Sequence, residues 1–160
     1  MTAVSQNTPN ERFPVDTDLE KNPTWIPVVA VALRGDDGRL LMQRRPFGKH
    51  HGGLWEFPGG KVEPHETPVF ALVREVEEEL GIALDPALLE PACFAQGEGD
   101  HGHAAIVILL YTTAVWHGSP EALEGGEWGW FTQEEAARLE KPPLDVALLA
   151  GLARGEKGAA

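Results

Sequence analysis

This chain of 160 residues predicts an α/β fold in which a sheet is layered between helices. Three observations carry that prediction. Apolar strand-like runs recur along the chain, the longest over residues 104–116; one strongly amphipathic helical stretch, Pro68–Leu80, interrupts them; and two more helical signals close the sequence.

Residues 1–22 are polar with scattered prolines and read as a flexible N-terminal extension, with one domain over 23–160 whose core starts near Trp25. No repeat or linker divides that domain. Residues 26–33 and 39–44 read as strands joined at Gly35-Asp36-Asp37-Gly38, most simply a hairpin. A Gly/His-rich loop over 47–53 leads to an extended Leu54-Trp55-Glu56-Phe57 stretch and a Pro58-Gly59-Gly60 turn. The helix then has Thr67 as its cap, Pro68 at its first position and Gly81 just past its end. Residues 89–95 and 104–116 read as strands around a Gly-rich loop, and the second is apolar enough to lie centrally. Residues 128–131 form a further short strand, Thr132 caps a helix from Gln133, and residues 145–152 form a last helix after Pro142-Pro143.

At about 100° per residue the Pro68–Leu80 helix has two working faces. Val69, Leu72, Val73, Val76 and Leu80 fill one arc of roughly 100°, the width of a core-facing stripe. Glu75, Glu78 and Glu79, related as i, i+3 and i+4, fill a second, while Glu77 points elsewhere. Three carboxylates near a helix C-terminus oppose the macrodipole and repel one another, costing about 0.3 to 1 kcal/mol per interaction. A hard divalent cation offsets that cost, and oxygen ligands suit Mg²⁺ or Mn²⁺. A solvated acidic face is the competing reading of the Glu-rich segment taken alone.

Thirteen basic against 25 acidic residues leave a formal charge of −12, which disfavours duplex nucleic acid as a partner. The single cysteine, Cys93, excludes an internal disulfide, reads as a small strand residue and fits a reducing compartment. No signal peptide or membrane span is legible, so a cytoplasmic protein is expected. His101 and His103 could share a strand face, but no third ligand stands at a familiar zinc spacing. Oligomeric state is not legible.

Residues 60–82, GKVEPHETPVFALVREVEEELGI, contain Gly60, Glu66, Arg74-Glu75, Glu78-Glu79 and Gly81-Ile82 at the spacing of the Nudix box, and the chain resembles the Nudix hydrolases through it. Gln43-Arg44-Arg45, the segment from Trp55 to Lys61, and Pro142-Pro143-Leu144-Asp145 resemble the MutT-type nucleoside triphosphate pyrophosphohydrolases, and the likeness runs from about residue 26 to residue 152. It implies the Nudix fold, an α/β/α sandwich with a mixed β-sheet, and Mg²⁺-dependent hydrolysis, with Mn²⁺ as a substitute, of a small-molecule nucleotide. Attack at the β-phosphorus would give a nucleoside monophosphate and pyrophosphate, with 8-oxo-dGTP as the expected substrate in nucleotide-pool sanitation. Other Nudix substrates, such as a cytidine nucleotide, ADP-ribose or a dinucleoside polyphosphate, are the alternative. A nucleotide sensor without turnover is a further one, against which the intact glutamates argue.

The resemblance makes Glu75, Glu78 and Glu79 metal ligands, joined by the carbonyl of Gly59 and by Glu124, which stands six residues before Trp130. A solvated loop glutamate is the other reading of Glu124. Arg74 matches an arginine that orients the glutamates, and Glu66 a structural acid beside the helix N-terminus. Glu75, Glu79 and Glu124 all qualify as the base. Lys61 is expected to neutralise leaving-group charge and Arg45 to bind phosphate, though either could be an ordinary exposed cation. Asp145 is expected at the base edge, where an aspartate accepts from the N7–H of an 8-oxo-purine, or as a helix N-cap, or both. Phe57 and Leu144 are candidates to line a base pocket, and His50 falls on the substrate loop.

Overall fold

The computed structural model describes residues 24–98 and 104–158. The extension expected over 1–22 and the His101/His103 pair lie outside the described residues. β1 (Trp25–Leu33), β2 (Leu40–Arg44), β3 (Trp55–Glu56) and β4 (Gly59–Lys61) precede the long helix α1 (Pro68–Leu80). There follow β5 (Ala83–Leu84), a 3-10 turn (Pro86–Leu88), β6 (Glu90–Gly97), β7 (Ala105–Thr113), β8 (Trp116–His117), β9 (Glu127–Phe131), α2 (Gln133–Arg138) and α3 (Pro143–Gly158).

A four-stranded mixed sheet runs β4-β1-β7-β6. β1 and β7 are parallel from Trp25 opposite Ala105 to Leu33 opposite Thr113, and β4 and β6 are its antiparallel edges. The apolar 104–116 stretch is therefore central, as expected, although its strand ends at Thr113 and Trp116 passes to a small β5-β8 pair.

The hairpin reading of β1 and β2 holds only at its tip. Gly38 N–H donates to the Gly35 carbonyl at 2.9 Å and Arg34 bridges Leu40, but beyond that β2 leaves to become the middle of a second sheet, β3-β2-β9. Both edges of β1 are already occupied by β4 and β7, so β2 has no ladder to join.

Alternation along β1 divides the core. Val29, Val31 and Leu33 pack with Leu72, Val76 and Leu80 of α1 on one face, while Ala30 and Ala32 pack with Leu110 and with Leu148 and Leu152 of α3 on the other. The result is an α/β/α sandwich. Cys93 is half-buried in β6 where α3 crosses it, and a Cβ on Gly151 would lie 2.9 Å from its Sγ. No described helix is long and apolar enough to cross a membrane.

The ends of α1 are those read from the sequence. The Thr67 side chain accepts from Phe70 N–H, Pro68 opens the helix, and Gly81 adopts φ 67° while its N–H donates to the Glu77 carbonyl. α3 differs. It starts at Pro143, which the first turn tolerates because that N–H has no helical partner, so Asp145 lies inside the turn rather than capping it.

Leu72, fully buried between α1 and the sheet, and Phe70, 60% exposed on the same helix, provide a contrast. Leu72→Ala is expected to cost about 2–5 kcal/mol in urea unfolding, and Phe70→Ala less than about 1 kcal/mol. Equal losses would mean that α1 is not held by its inner stripe.

Candidate active site

The acidic face of α1 lies over the turn that contains Gly59 and Gly60, where a side chain at Gly59 would strike backbone and one at Gly60 would displace Glu75. A Cβ on Gly59 would lie 1.9 Å from the Val29 carbonyl oxygen, and one on Gly60 would lie 2.2 Å from Cδ of Glu75. The Glu75 carboxylate thus rests directly on the turn. Glu79 Oε2 accepts from Gly59 N–H at 3.1 Å and from Gln43 Nε2 at 2.9 Å.

Arg74 organises the other side of this face. Its guanidinium reaches both oxygens of Glu66 (2.6 and 3.1 Å), Oε1 of Glu75 (2.8 Å) and Oε2 of Glu78 (3.4 Å), and it donates to the Lys61 carbonyl at 3.2 Å. Glu66 also accepts from Glu63 N–H at 2.8 Å, which ties the loop before the helix to the same arginine. Glu77 is exposed and takes no part.

Opposite α1, Gln43 of β2 pairs across the ladder with Glu56 of β3. Arg45 Nε donates to both Glu56 oxygens at 2.7 and 2.8 Å, and its Nη1 donates to the His50 carbonyl at 3.1 Å. Gln43, Arg45, Lys49, Glu56, Glu79 and Glu124 together line a cleft of about 120 Å³. Lys49 Nζ stands 3.9 Å from Glu124 across its mouth.

The carboxylates disturb one another. Burial pushes the Glu79 carboxyl up to about 8, against the Gln43 and Gly59 hydrogen bonds, and Glu56 and Glu75 add to the rise. Burial also raises Glu75, against Arg74, with Glu78 and Glu124 adding to it. Glu56 is raised by burial too, although Arg45 opposes the shift. Negative charge has been gathered here at a cost, which is the condition that a bound cation relieves.

Among the described residues no three acidic, imidazole or thiol groups close around a single point. Arg74 and Gln43 already engage oxygens of Glu75, Glu78 and Glu79. The donor set of carboxylate and carbonyl oxygens nevertheless fits a hard divalent cation of the Mg²⁺ kind, which takes oxygen ligands and completes its octahedron with waters and phosphate oxygens.

The remaining sequence-derived candidates are distributed unevenly. Lys61 is exposed on β4, and its carbonyl rather than its ammonium meets Arg74. His50 is exposed with its ring against His51, centroids 4.0 Å apart. Phe57 must be corrected: at 3% exposure its ring packs with Met42, Leu110 and Leu148 in the core, and it forms no open pocket wall. Asp145 is also corrected as a cap, since its buried Oδ1 accepts from Phe57 N–H at 3.0 Å, a contact between α3 and the turn before β4. Leu144 is half-buried beside Gly97.

Three of these cleft residues, Gln43, Lys49 and Glu56, were not singled out from the sequence. Gln43 and Glu56 stood there only as parts of longer motifs. Their signal was positional: on short paired strands flanking the Gly/His-rich loop, a polar residue on the face that bears Leu41 points toward α1.

A model of the NUDIX domain matches residues 24–151. Over 123 residues the chain is 38% identical to the CTP pyrophosphohydrolase of Escherichia coli (strain K12), covering 76% of this chain and 87% of that protein. Over 125 residues it is 35% identical to the 8-oxo-dGTP diphosphatase of Haemophilus influenzae, covering 78% and 88%. The crystal structure of a MutT NUDIX hydrolase from Burkholderia pseudomallei superposes with a TM-score of 0.66 at 29% identity, covering 81% of this chain and 96% of that one. The chain belongs to the Nudix family. It is a hydrolase of the MutT type, acting on phosphoanhydride bonds; its Nudix relatives act on small nucleotides, and Nudix hydrolases in general need divalent metal ions.

Burial raises the Asp145 carboxyl to about 7 from an ordinary 3.8, against the Phe57 N–H bond, and Glu56 adds to the rise. The folded chain then holds a proton that the unfolded chain releases between those values, so stability falls as pH rises through that window. Asp145→Asn keeps an oxygen acceptor for Phe57 and carries no charge. It is expected to leave Tm near pH 4 almost unchanged and to raise it at pH 8 by about 3 °C or more. A Tm difference that does not vary with pH would show that ionisation of Asp145 has no part in stability.

Proposed function

We propose that this chain is a Mg²⁺-dependent nucleoside triphosphate pyrophosphohydrolase that releases a nucleoside monophosphate and pyrophosphate, with 8-oxo-dGTP as its substrate in the cytoplasm. The observation that carries this reading is the meeting of Glu79, Glu124, Arg45 and Lys49 in one cleft, with Glu75 beside Glu79 on the same helix face and packed on the Gly60 turn.

Glu75, Glu78, Glu79 and the Gly59 carbonyl would hold a divalent cation, with Glu124 at the mouth, and the bound cation would acidify a water and neutralise phosphoryl oxygens. Arg74 fixes the orientation of Glu75 and Glu78 while remaining charged, because four carboxylates surround it. Arg45 spends Nε on Glu56 and Nη1 on the His50 carbonyl, leaving Nη2 for a phosphate oxygen. Lys61, exposed at the end of β4, is free to approach the leaving pyrophosphate. The base that takes the proton of the attacking water is one of Glu75, Glu79 and Glu124.

The cleft, about 120 Å³, is smaller than the several hundred Å³ of an ordinary ligand site, so it takes phosphate and leaves the base outside. Asp145 is the residue we assign to the base edge, with Leu144 beside it and His50 on the loop above the phosphates. A carboxylate acceptor suits the N7–H of an 8-oxo-purine. It suits the N4 amino group of cytosine equally well, and the likeness to a CTP pyrophosphohydrolase favours a cytidine nucleotide as the second reading.

A nucleotide panel with Mg²⁺, assayed separately for pyrophosphate and inorganic phosphate, tests both readings. Pyrophosphate from 8-oxo-dGTP is expected far above that from dGTP at low substrate, whereas preference for CTP would select the second reading. Glu78→Gln and Glu79→Gln should each lower kcat by roughly 100-fold, and full activity in both would remove the catalytic assignment. Asp145→Ala should change the ratio of kcat/KM between nucleotides by about 10-fold, while equal losses for all would leave Asp145 a purely structural contact.

A further inference from the structure

Gln43 is the one neutral polar side chain set between the two buried carboxylates of the cleft. It lies on β2 directly across from Glu56, on the strand face that carries Leu41 toward α1. Its Nε2 donates to Glu79 Oε2 at 2.9 Å, and Gly59 N–H donates to the same oxygen at 3.1 Å. That oxygen is thereby engaged twice by the protein, and Oε1 is the one left over. The same amide supports the ionised form of Glu56, as a nitrogen with two hydrogens can do.

We propose that Gln43 is a positioning residue, whose amide holds the Glu79 carboxylate in the one orientation that offers Oε1 to a divalent cation. This rests on the reading of Glu79 as a metal ligand given above. The choice of side chain follows from the neighbours. A lysine or arginine here would compete with the metal for the carboxylate, and an acid would place a third negative charge between Glu56 and Glu79. An apolar residue would leave Oε2 with a single donor and Glu79 free to rotate away. Only a neutral donor of this length spans from β2 to α1. Gln43 therefore ties the second sheet to the acidic helix at the point where the cation would sit.

The test uses Gln43→Met, similar in length but without a donor, and Gln43→Ala as a second variant should the first not fold. Mn²⁺ binding to the nucleotide-free protein is measured by the electron paramagnetic resonance of free Mn²⁺, and kcat and KM are measured at low and saturating metal. Loss of the amide should weaken Mn²⁺ binding by about 10-fold and lower kcat at low metal to a similar extent. KM for the nucleotide at saturating metal should change by less than about two-fold, and excess metal should restore most of kcat. Mn²⁺ affinity within about two-fold of wild type in both variants, with Glu79→Gln weakening it, would overturn the role of Gln43 and leave the metal reading standing. A rise in KM alone, at unchanged metal affinity, would also overturn it, by placing Gln43 on the substrate. Mn²⁺ affinity unchanged in Glu79→Gln would remove the metal reading and this inference together.

Discussion

The close approach of the Gly59-Gly60 turn to both β1 and α1 is the constraint on which the rest of the site depends. Any side chain at these positions would collide with the Val29 carbonyl or with the Glu75 carboxylate. With none present, β4 pairs with β1, Gly59 N–H reaches Glu79, and the acidic face of α1 is pressed against backbone rather than left in solvent. The apolar stripe of α1 supplies the opposing force, because Leu72, Val76 and Leu80 are buried on the sheet. The helix is thus held from one side by hydrophobic burial and aimed from the other by hydrogen bonds.

The electrostatic design follows from that clamp. Glu75, Glu79 and Glu56 are all raised above their ordinary range chiefly by burial, and each is opposed by a donor: Arg74 for Glu75, Gln43 for Glu79, Arg45 for Glu56. Each donor comes from a position fixed by secondary structure, Arg74 on the helix and Gln43 with Arg45 on or just beyond β2. Carboxylates at this density would otherwise take up protons or turn outward. Fixed donors leave selected oxygens directed into the cleft, which is preorganisation in the sense that matters for charge developing on a phosphoryl group.

A second axis joins this chemistry to the far side of the sandwich. Asp145, in the first turn of α3, accepts from Phe57 N–H two residues before Gly59, so the helix that closes the second face of the sheet is bonded to the turn that carries the acidic face of the first. Phe57 itself fills the core on the α3 side. The buried carboxyl of Asp145 lies close enough to Glu56 to feel its charge. Asp145 of α3 and Glu79 of α1 are therefore both bonded to one short stretch of chain, residues 57–59.

Local chemistry was legible wherever it had a short period. The cap at Thr67, the stop at Gly81, the division of Pro68–Leu80 into an apolar and an acidic face, and the central place of residues 105–113 follow from helix and strand geometry over neighbouring residues. The acidic cluster and its family resemblance could be read in the same way. What the sequence could not decide were contacts between residues far apart in the chain. Gln43 meets Glu79 across 36 positions and Asp145 meets Phe57 across 88, and neither pairing leaves a periodic trace. Whether β2 stayed with β1 depended on β4 and β7 occupying both edges of β1, which no local turn signal records. By itself the sequence determined which residues face together on each element. Tertiary structure alone decided which elements face each other, because that choice is made by competition for edges and buried surface over the whole chain.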